Sequence, residues 1–279
     1  MALRIRPLLI SGAVLLLSLG ITLLLWSHER KNVERNLKAN LDFTLREATS
    51  SIEQRMATYE QIALGVKGFF YGSERPSRSA FQAYLNSLES GAEYSGIQAM
   101  GLASIVLPSE LKSHVASMRM SGLAAYEVYP QGARKRYAPI VQMEPSTATN
   151  SQVFGYDPLS DPELSKAMLR AADSGSLSIS RGPKIRNRSA KLGSADYAMF
   201  LPLYRPGNAA ETPAQRSKAI VGWVFSFLRI SDLMASVYGE RRNDIEISLY
   251  DNHQRKAESL VYESGKTAAK HEGLEGVEY

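Results

Sequence analysis

Residues 8–26 read LLISGAVLLLSLGITLLLW without one charge. A helix rising 1.5 Å per residue over such a stretch is long enough to cross a hydrocarbon core of ~30 Å. Arg4 and Arg6 precede the run, and Trp26 closes it where an interfacial aromatic would sit. Positive charge flanking a first span marks the cytoplasmic side, so residues 1–7 are expected inside and everything after Trp26 outside. A cleaved signal peptide is the rival reading. Its apolar region is usually 7–15 residues and ends at a small-x-small site. The run here is longer, and WSHERKNVERN offers no such site. An uncleaved transmembrane helix over residues 8–26 is therefore expected.

Composition changes abruptly at His28, Glu29, Arg30 and Lys31. Apolar residues then recur in steps of three and four: Val33, Leu37, Leu41, Leu45, Ala48, Ile52, Met56, Tyr59, Ala63, Val66 and Phe70. No Pro or Gly interrupts them before Gly65. This near-heptad stripe predicts a long stalk helix over residues 28–72. One face can serve the helix's own domain near Phe69 and Phe70. The lower part, with Leu37, Leu41, Leu45, Ala48 and Ile52 as its seam, is expected to pair with a second copy in a homodimer.

Beyond residue 72 the signals are short and mixed. Turn chemistry at Gly72–Pro76 precedes Ser77, an N-cap for a helix through Phe81, Tyr84, Leu85 and Leu88. Residues 96–106 read as a strand, and Pro108-Ser109-Glu110 opens a helix that Gly122 stops. Residues 126–129, a Gln131-Gly132 turn and residues 136–143 read as a hairpin. Ser160-Asp161-Pro162-Glu163 starts a helix that ends at Gly175. Residues 176–180, 197–204, 219–228 and 245–250 read as strands, residues 230–237 as a helix, and residues 205–218 as loop. Hairpins and helices without regular βα alternation indicate α+β with antiparallel sheet.

The hydrophobic share of 44% leaves room for a sizeable core. A net charge of +5, scattered among acids, gives no basic stripe, so nucleic acid is not an expected partner. There is no cysteine, which removes disulfides, thiolate catalysis and zinc–thiolate sites. His28, His114, His253 and His271 stand apart from one another, and no G-x-S-x-G, P-loop or G-x-G-x-x-G is present. Asp157, Asp161 and Glu163 fit a turn followed by a helix N-terminus better than a metal site. No catalytic residue, metal or cofactor is expected.

One ordered series of residues resembles a known family. It runs from Phe81 and Tyr84 through Gly96-Ile97, the Met118–Gly122 helix end, Tyr137-Ala138-Pro139-Ile140 and Glu144-Pro145 before Asn150. It continues with Gly155, Asp157, Pro162, Ala167, the Ala171–Gly175 stretch, Ser180 and Leu201-Pro202-Leu203-Tyr204. Over residues 77–250 the chain resembles the CHASE extracellular sensory domains found ahead of cyclases and histidine kinases. The resemblance implies a stalk helix and two PAS-like antiparallel-sheet subdomains: a membrane-distal one over 77–210 that holds a ligand, and a membrane-proximal one over 211–279 that is incomplete, with no closing strand expected after Tyr262. The best-known relatives hold adenine with an aspartate after the first hairpin strand. Here Pro130 or Gln131 stands near that place, so the adenine-holding residue does not carry over.

The resemblance further implies a bacterial inner-membrane receptor with its bulk in the periplasm, an unidentified small-molecule ligand, the lipid bilayer and a second copy as partners. A second span and a cytoplasmic output domain are implied as well, either a diguanylate cyclase or phosphodiesterase or a histidine kinase. The tail after Tyr262 supplies neither, so the chain is expected to be part of a longer protein. The inward residues expected to line the pocket are Tyr126, Val128, Tyr137, Met199 and Leu201, with Ser178 and Ser180 as polar contacts. None of these is charged, which suggests an uncharged or weakly polar ligand. The competing readings are a tethered adaptor for a protein partner and, with less support, a periplasmic hydrolase.

Overall fold

The computed structural model describes residues 5–72, 77–88, 94–147, 150–183, 195–207, 211–238, 247–251, 256 and 259–264, with side chains from Val14 onward. The chain divides into two compact units, Met1–Gln54 and Arg55–Tyr279.

The first unit is helical throughout its described length. It belongs to α1, one helix over Ile5–Gly72. Pro7 falls in the first turn, where its missing N–H costs nothing, and no Gly or Pro follows between Gly20 and Gly65. From Val14 to Trp26 the large apolar side chains stand open, with Leu16 69% and Trp26 61% exposed. Among the described residues no helix is long and apolar enough to cross a membrane. The first side chains of the 8–26 run lie outside the described residues. Further along, Leu37, Leu41 and Leu45 are exposed, Ile52 is half-buried and Ala48 is buried within the single chain.

The second unit is built on a five-stranded antiparallel sheet in the order β2-β1-β5-β4-β3. Its strands are β1 (Ile97–Ser104), β2 (Ile140–Glu144), β3 (Ser178–Arg181), β4 (Tyr197–Tyr204) and β5 (Ile220–Leu228). Both faces are covered, which is why the central strands read as continuous apolar runs rather than alternating ones. One face receives Ala63 and Val66 from the end of α1, and Phe81 and Leu85 from α2 (Arg78–Leu88), against Met100, Val224, Leu201 and Leu203. The other carries Ala99, Ala103, Trp223, Phe225, Phe227, Ala198 and Phe200. It is covered by α3 (Leu111–Met120), α4 (Pro162–Ser174) and the irregular chain between them. Trp223 Nε1 donates to the Met168 carbonyl at 2.9 Å, pinning α4 to β5.

The helix starts follow their sequence signals. Ser77 Oγ accepts the Ala80 N–H, and Asp161 accepts from Glu163 and Leu164. Gly175 ends α4 in the left-handed conformation at φ 81°. Three expectations differ from the structure. Residues 126–129 do not form a hairpin with residues 136–143: β2 pairs with β1, Tyr137 bridges Val106, and Tyr129 bridges Tyr156. Pro130 and Pro139 lack the N–H a ladder needs there, and the Ala138 N–H is taken by Asp157. The 205–218 loop contains a helix, α5 (Pro213–Ala219), opened by a Thr212–Gln215 capping box. Finally, β5 lies at the centre of the five-stranded sheet, so the expected boundary at 210/211 runs through one sheet and not between two. Beyond β5 come α6 (Ile230–Tyr238) and a two-stranded sheet of β6 (Ser248–Tyr250) and β7 (Leu260–Glu263). Most of the 181–193 segment, residues 245 and 246, and the tail from 265 lie outside the described residues.

A buried tyrosine–aspartate site

The irregular chain over the β2–β1 end of the sheet carries a wholly buried carboxylate, Asp157, among buried tyrosines. Gly155 allows this. Its φ is +85°, and a Cβ there would overlap the Glu127 carbonyl oxygen, so the 126–129 and 153–157 segments meet only because position 155 has no side chain. The contact is sealed by Tyr129 N–H donating to Gly155 O and Asp157 N–H donating to Tyr129 O.

Asp157 is wholly buried. Its Oδ1 accepts the Ala138 N–H at 3.0 Å and the Leu159 N–H at 3.1 Å. Its Oδ2 stands 3.4 Å from Arg134 Nη1. Burial raises the Asp157 carboxyl above its ordinary range; the Ala138 N–H, Arg134 and the Leu159 N–H oppose the shift without cancelling it. Arg134 lies 5.4 Å over the Tyr137 ring, and the Tyr137 hydroxyl donates to Gly132 O at 2.8 Å.

Tyr126 and Tyr156 are also buried. Burial first, and then the Asp157 charge, push the Tyr126 phenol up, with Arg78 opposing. For Tyr156 burial leads, followed by Asp161, Tyr129 and Asp157, with the Ser160 hydrogen bond opposing. His114 Nε2 is 3.0 Å from the Tyr126 hydroxyl, and burial lowers the His114 pKa, which favours the neutral ring. Arg119 Nε donates to Tyr126 O at 2.9 Å. The arrangement offers aromatic surface, a buried acceptor and neutral hydroxyls. It has the chemistry of recognition. The described residues contain no group of metal-binding side chains.

Of the seven residues expected to line a pocket, Tyr126, Val128 and Tyr137 come together in this cluster. Ser178 and Ser180 pair with Phe200 and Ala198 and so share the same sheet face, but they sit on β3, at the opposite edge from β2. With four strand spacings of ~4.8 Å between those edges, they do not converge with the tyrosines. Arg170 on α4 donates to the Ser178 hydroxyl and to Ile179 O. Met199 and Leu201 alternate with Ala198 and Phe200, and Leu201 packs in the cluster on the other face, with Ala63 and Val66 of α1. Asp157, Tyr156, His114 and Arg134 were not anticipated as site residues. Tyr156-Asp157-Pro158 reads from sequence as a turn, and Arg134 hides in the basic triplet Arg134-Lys135-Arg136.

Residues 74–262 match the CHASE domain, which places the chain among the sensory, non-catalytic domains of signalling receptors. The match covers well over half of the 279 residues, and the chain belongs to the CHASE domain family. CHASE domains are the extracellular sensors of membrane receptors. No match was found among curated proteins.

Proposed function

We propose that the chain is the periplasmic ligand-sensing part of a bacterial inner-membrane receptor, held by a span over residues 8–26 and dimeric through its stalk. Its binding region is the tyrosine–aspartate cluster, and it regulates a cytoplasmic diguanylate cyclase, phosphodiesterase or histidine kinase. The observation that carries the reading is the CHASE match over residues 74–262. The five-stranded antiparallel sheet with helices on both faces supports a PAS-like distal subdomain that extends past residue 210 to include β5. The exposed apolar side chains from Val14 to Trp26 support the span.

Occupancy of the cluster can reach α1 through the sheet alone. Ala103 on β1 faces the cluster, while its neighbours Met100 and Leu102 face Ala63 and Val66 of α1. A ligand that binds one sheet-to-helix packing better than another shifts the population between them. The test is a thermal-shift screen of small metabolites on the full chain in detergent. A true ligand raises the melting temperature with concentration. Tyr126→Ala and Tyr137→Ala are expected to abolish that rise in proteins that still melt cooperatively; survival of the rise in both variants moves the site elsewhere.

A further inference from the structure

Arg134 is an imperfect partner for Asp157. A fully buried carboxylate needs its charge compensated, because leaving it unpaired carries the full desolvation penalty. Asp157 Oδ1 is satisfied by two backbone N–H groups, whereas Oδ2 faces Arg134 Nη1 at 3.4 Å and neither atom makes a hydrogen bond. A well-fitted guanidinium–carboxylate pair closes to about 2.7–2.9 Å, commonly through two parallel bonds. Here the second terminal nitrogen, Nη2, is turned to Pro130 O at 2.9 Å, back onto its own loop. The cation is thus held by a ring and by its own backbone, and reaches the carboxylate without bonding it.

The loop that carries Arg134 makes its side-chain hydrogen bonds to nearby backbone. Gln131 donates to Val128 O, Arg134 to Pro130 O and the Tyr137 hydroxyl to Gly132 O, so these three hydrogen bonds close within residues 128–137. The anchors to the body lie at its ends, Tyr129 on Gly155 and Tyr137 on Val106. Arg134 keeps a fifth of its side chain exposed, so water is adjacent to receive it.

From this geometry we infer that Arg134 occupies a place suited to the cationic group of a ligand, an ammonium, amidinium or guanidinium. Such a ligand binds by displacing Arg134 from Asp157. The inference rests on the reading of this cluster as the sensing site. Exchange of one cation for another leaves the buried carboxylate compensated, while displacement by a neutral group strands it, and an anion adds repulsion. The Tyr137 ring supplies the cation–π face that Arg134 now uses. The ligand class differs from the uncharged one that the apolar candidates suggested, because Asp157 was not among them.

The experiment uses the full chain, with agmatine and butylamine as cationic probes and 1-butanol and butyrate as neutral and anionic controls at constant ionic strength. Arg134→Met removes the internal competitor while keeping bulk. Agmatine is expected to raise the melting temperature of R134M more than that of the wild type, with an apparent affinity about tenfold tighter once the competing state is gone. The controls are expected to do nothing, and the R134M/D157N double variant to lose the response. In the wild type, agmatine is expected to speed amide exchange across residues 130–136, a readout that stands even if R134M does not fold. Equal responses in R134M and R134M/D157N, a butanol response matching agmatine's, or unaltered wild-type exchange at the highest probe concentration each overturn the inference. If a neutral metabolite binds in a Tyr126-dependent way while the cations do nothing, the sensing site stands and the cationic class falls. If agmatine rescues R134M while screen hits survive Tyr126→Ala and Tyr137→Ala, the cation place stands and the natural ligand binds elsewhere.

Discussion

At Asp157 the fold places a carboxylate where water does not reach, and the consequence is a pH dependence of definite sign. Its folded-state pKa lies above the ordinary aspartate value, with burial as the leading cause. The folded state therefore holds this proton more tightly than the unfolded chain does. The contribution of Asp157 to stability is fully present below the ordinary carboxylate value and is lost as pH rises through the raised one. Asp157→Asn removes the titration and keeps an oxygen to accept from Ala138 and Leu159. Urea midpoints compared between pH 4 and pH 7 should show the wild type losing stability relative to D157N as pH rises; parallel profiles would sink the assignment. Gly155 is the neighbouring constraint. Alanine there must adopt φ +85° and push its Cβ into Glu127 O, so Gly155→Ala should cost roughly 2 kcal/mol or more. A denaturation midpoint unchanged from wild type would show that the two segments can part without cost.

Single elements were legible where a local signal was sufficient. Ser77, Asp161 and Gly175 each carry cap chemistry that depends on only a few neighbours, and each caps the expected helix. The apolar runs of β4 and β5 announce strands for a similar reason. Which face of β4 meets the cluster was not legible. A strand buried on both sides has no polar face to break the symmetry, so Met199 and Leu201 looked as good as Ala198 and Phe200. The 126–143 stretch misled because its alternation satisfies a hairpin pattern, while the true partner of β2, β1, lies far upstream beyond α3. Helix α5 was missed although Thr212-Pro213-Ala214-Gln215 is a capping box; Pro206, Gly207 and Asn208 drew the whole stretch into the loop, and Pro213 counted as a loop residue although proline is well tolerated at a helix's first position. The cap is testable by itself. Thr212 Oγ1 accepts the Gln215 N–H, and Thr212→Ala should destabilise the chain by about 1 kcal/mol, read from a chemical denaturation midpoint. On α1, Leu37, Leu41 and Leu45 are exposed in the single chain, whereas Ala48 is already buried. The dimer seam proposed over 37–52 is thus best probed at its lower end. Cysteines placed at Leu41 and Leu45 should cross-link between copies in membranes, and Leu45→Asp should suppress the cross-link formed at Leu41. Absence of cross-linking at both positions would remove this seam.

At the scale of the whole molecule the question is what covers the apolar side chains of residues 14–26. Leu15, Leu16, Leu17, Leu24 and Leu25 are each between 65% and 70% exposed, in a continuous helical run ended by Trp26. A soluble protein rarely leaves a contiguous apolar surface of this kind open. A stalk dimer buries one stripe of a helix, not its circumference, and here apolar residues occupy all sides of the turn. A bilayer would cover all sides at once, as the proposed span requires. Serine and threonine do not argue against it, because Ser18 Oγ returns to Leu15 O and Thr22 Oγ1 to Ser18 O, so their hydroxyls stay satisfied without water. Arg30 stacks 5.7 Å from the Trp26 ring at the end of the run, a pairing suited to an interface where aromatic and basic groups meet headgroups. The expectation is that the expressed chain stays in the membrane pellet after alkaline carbonate and that its N-terminal sequence retains residues 8–26. Release into the supernatant, or a mature N-terminus beyond Trp26, would replace the anchor with a removed leader. It would leave the sensory assignment intact, because the CHASE match begins at residue 74 and owes nothing to the first helix.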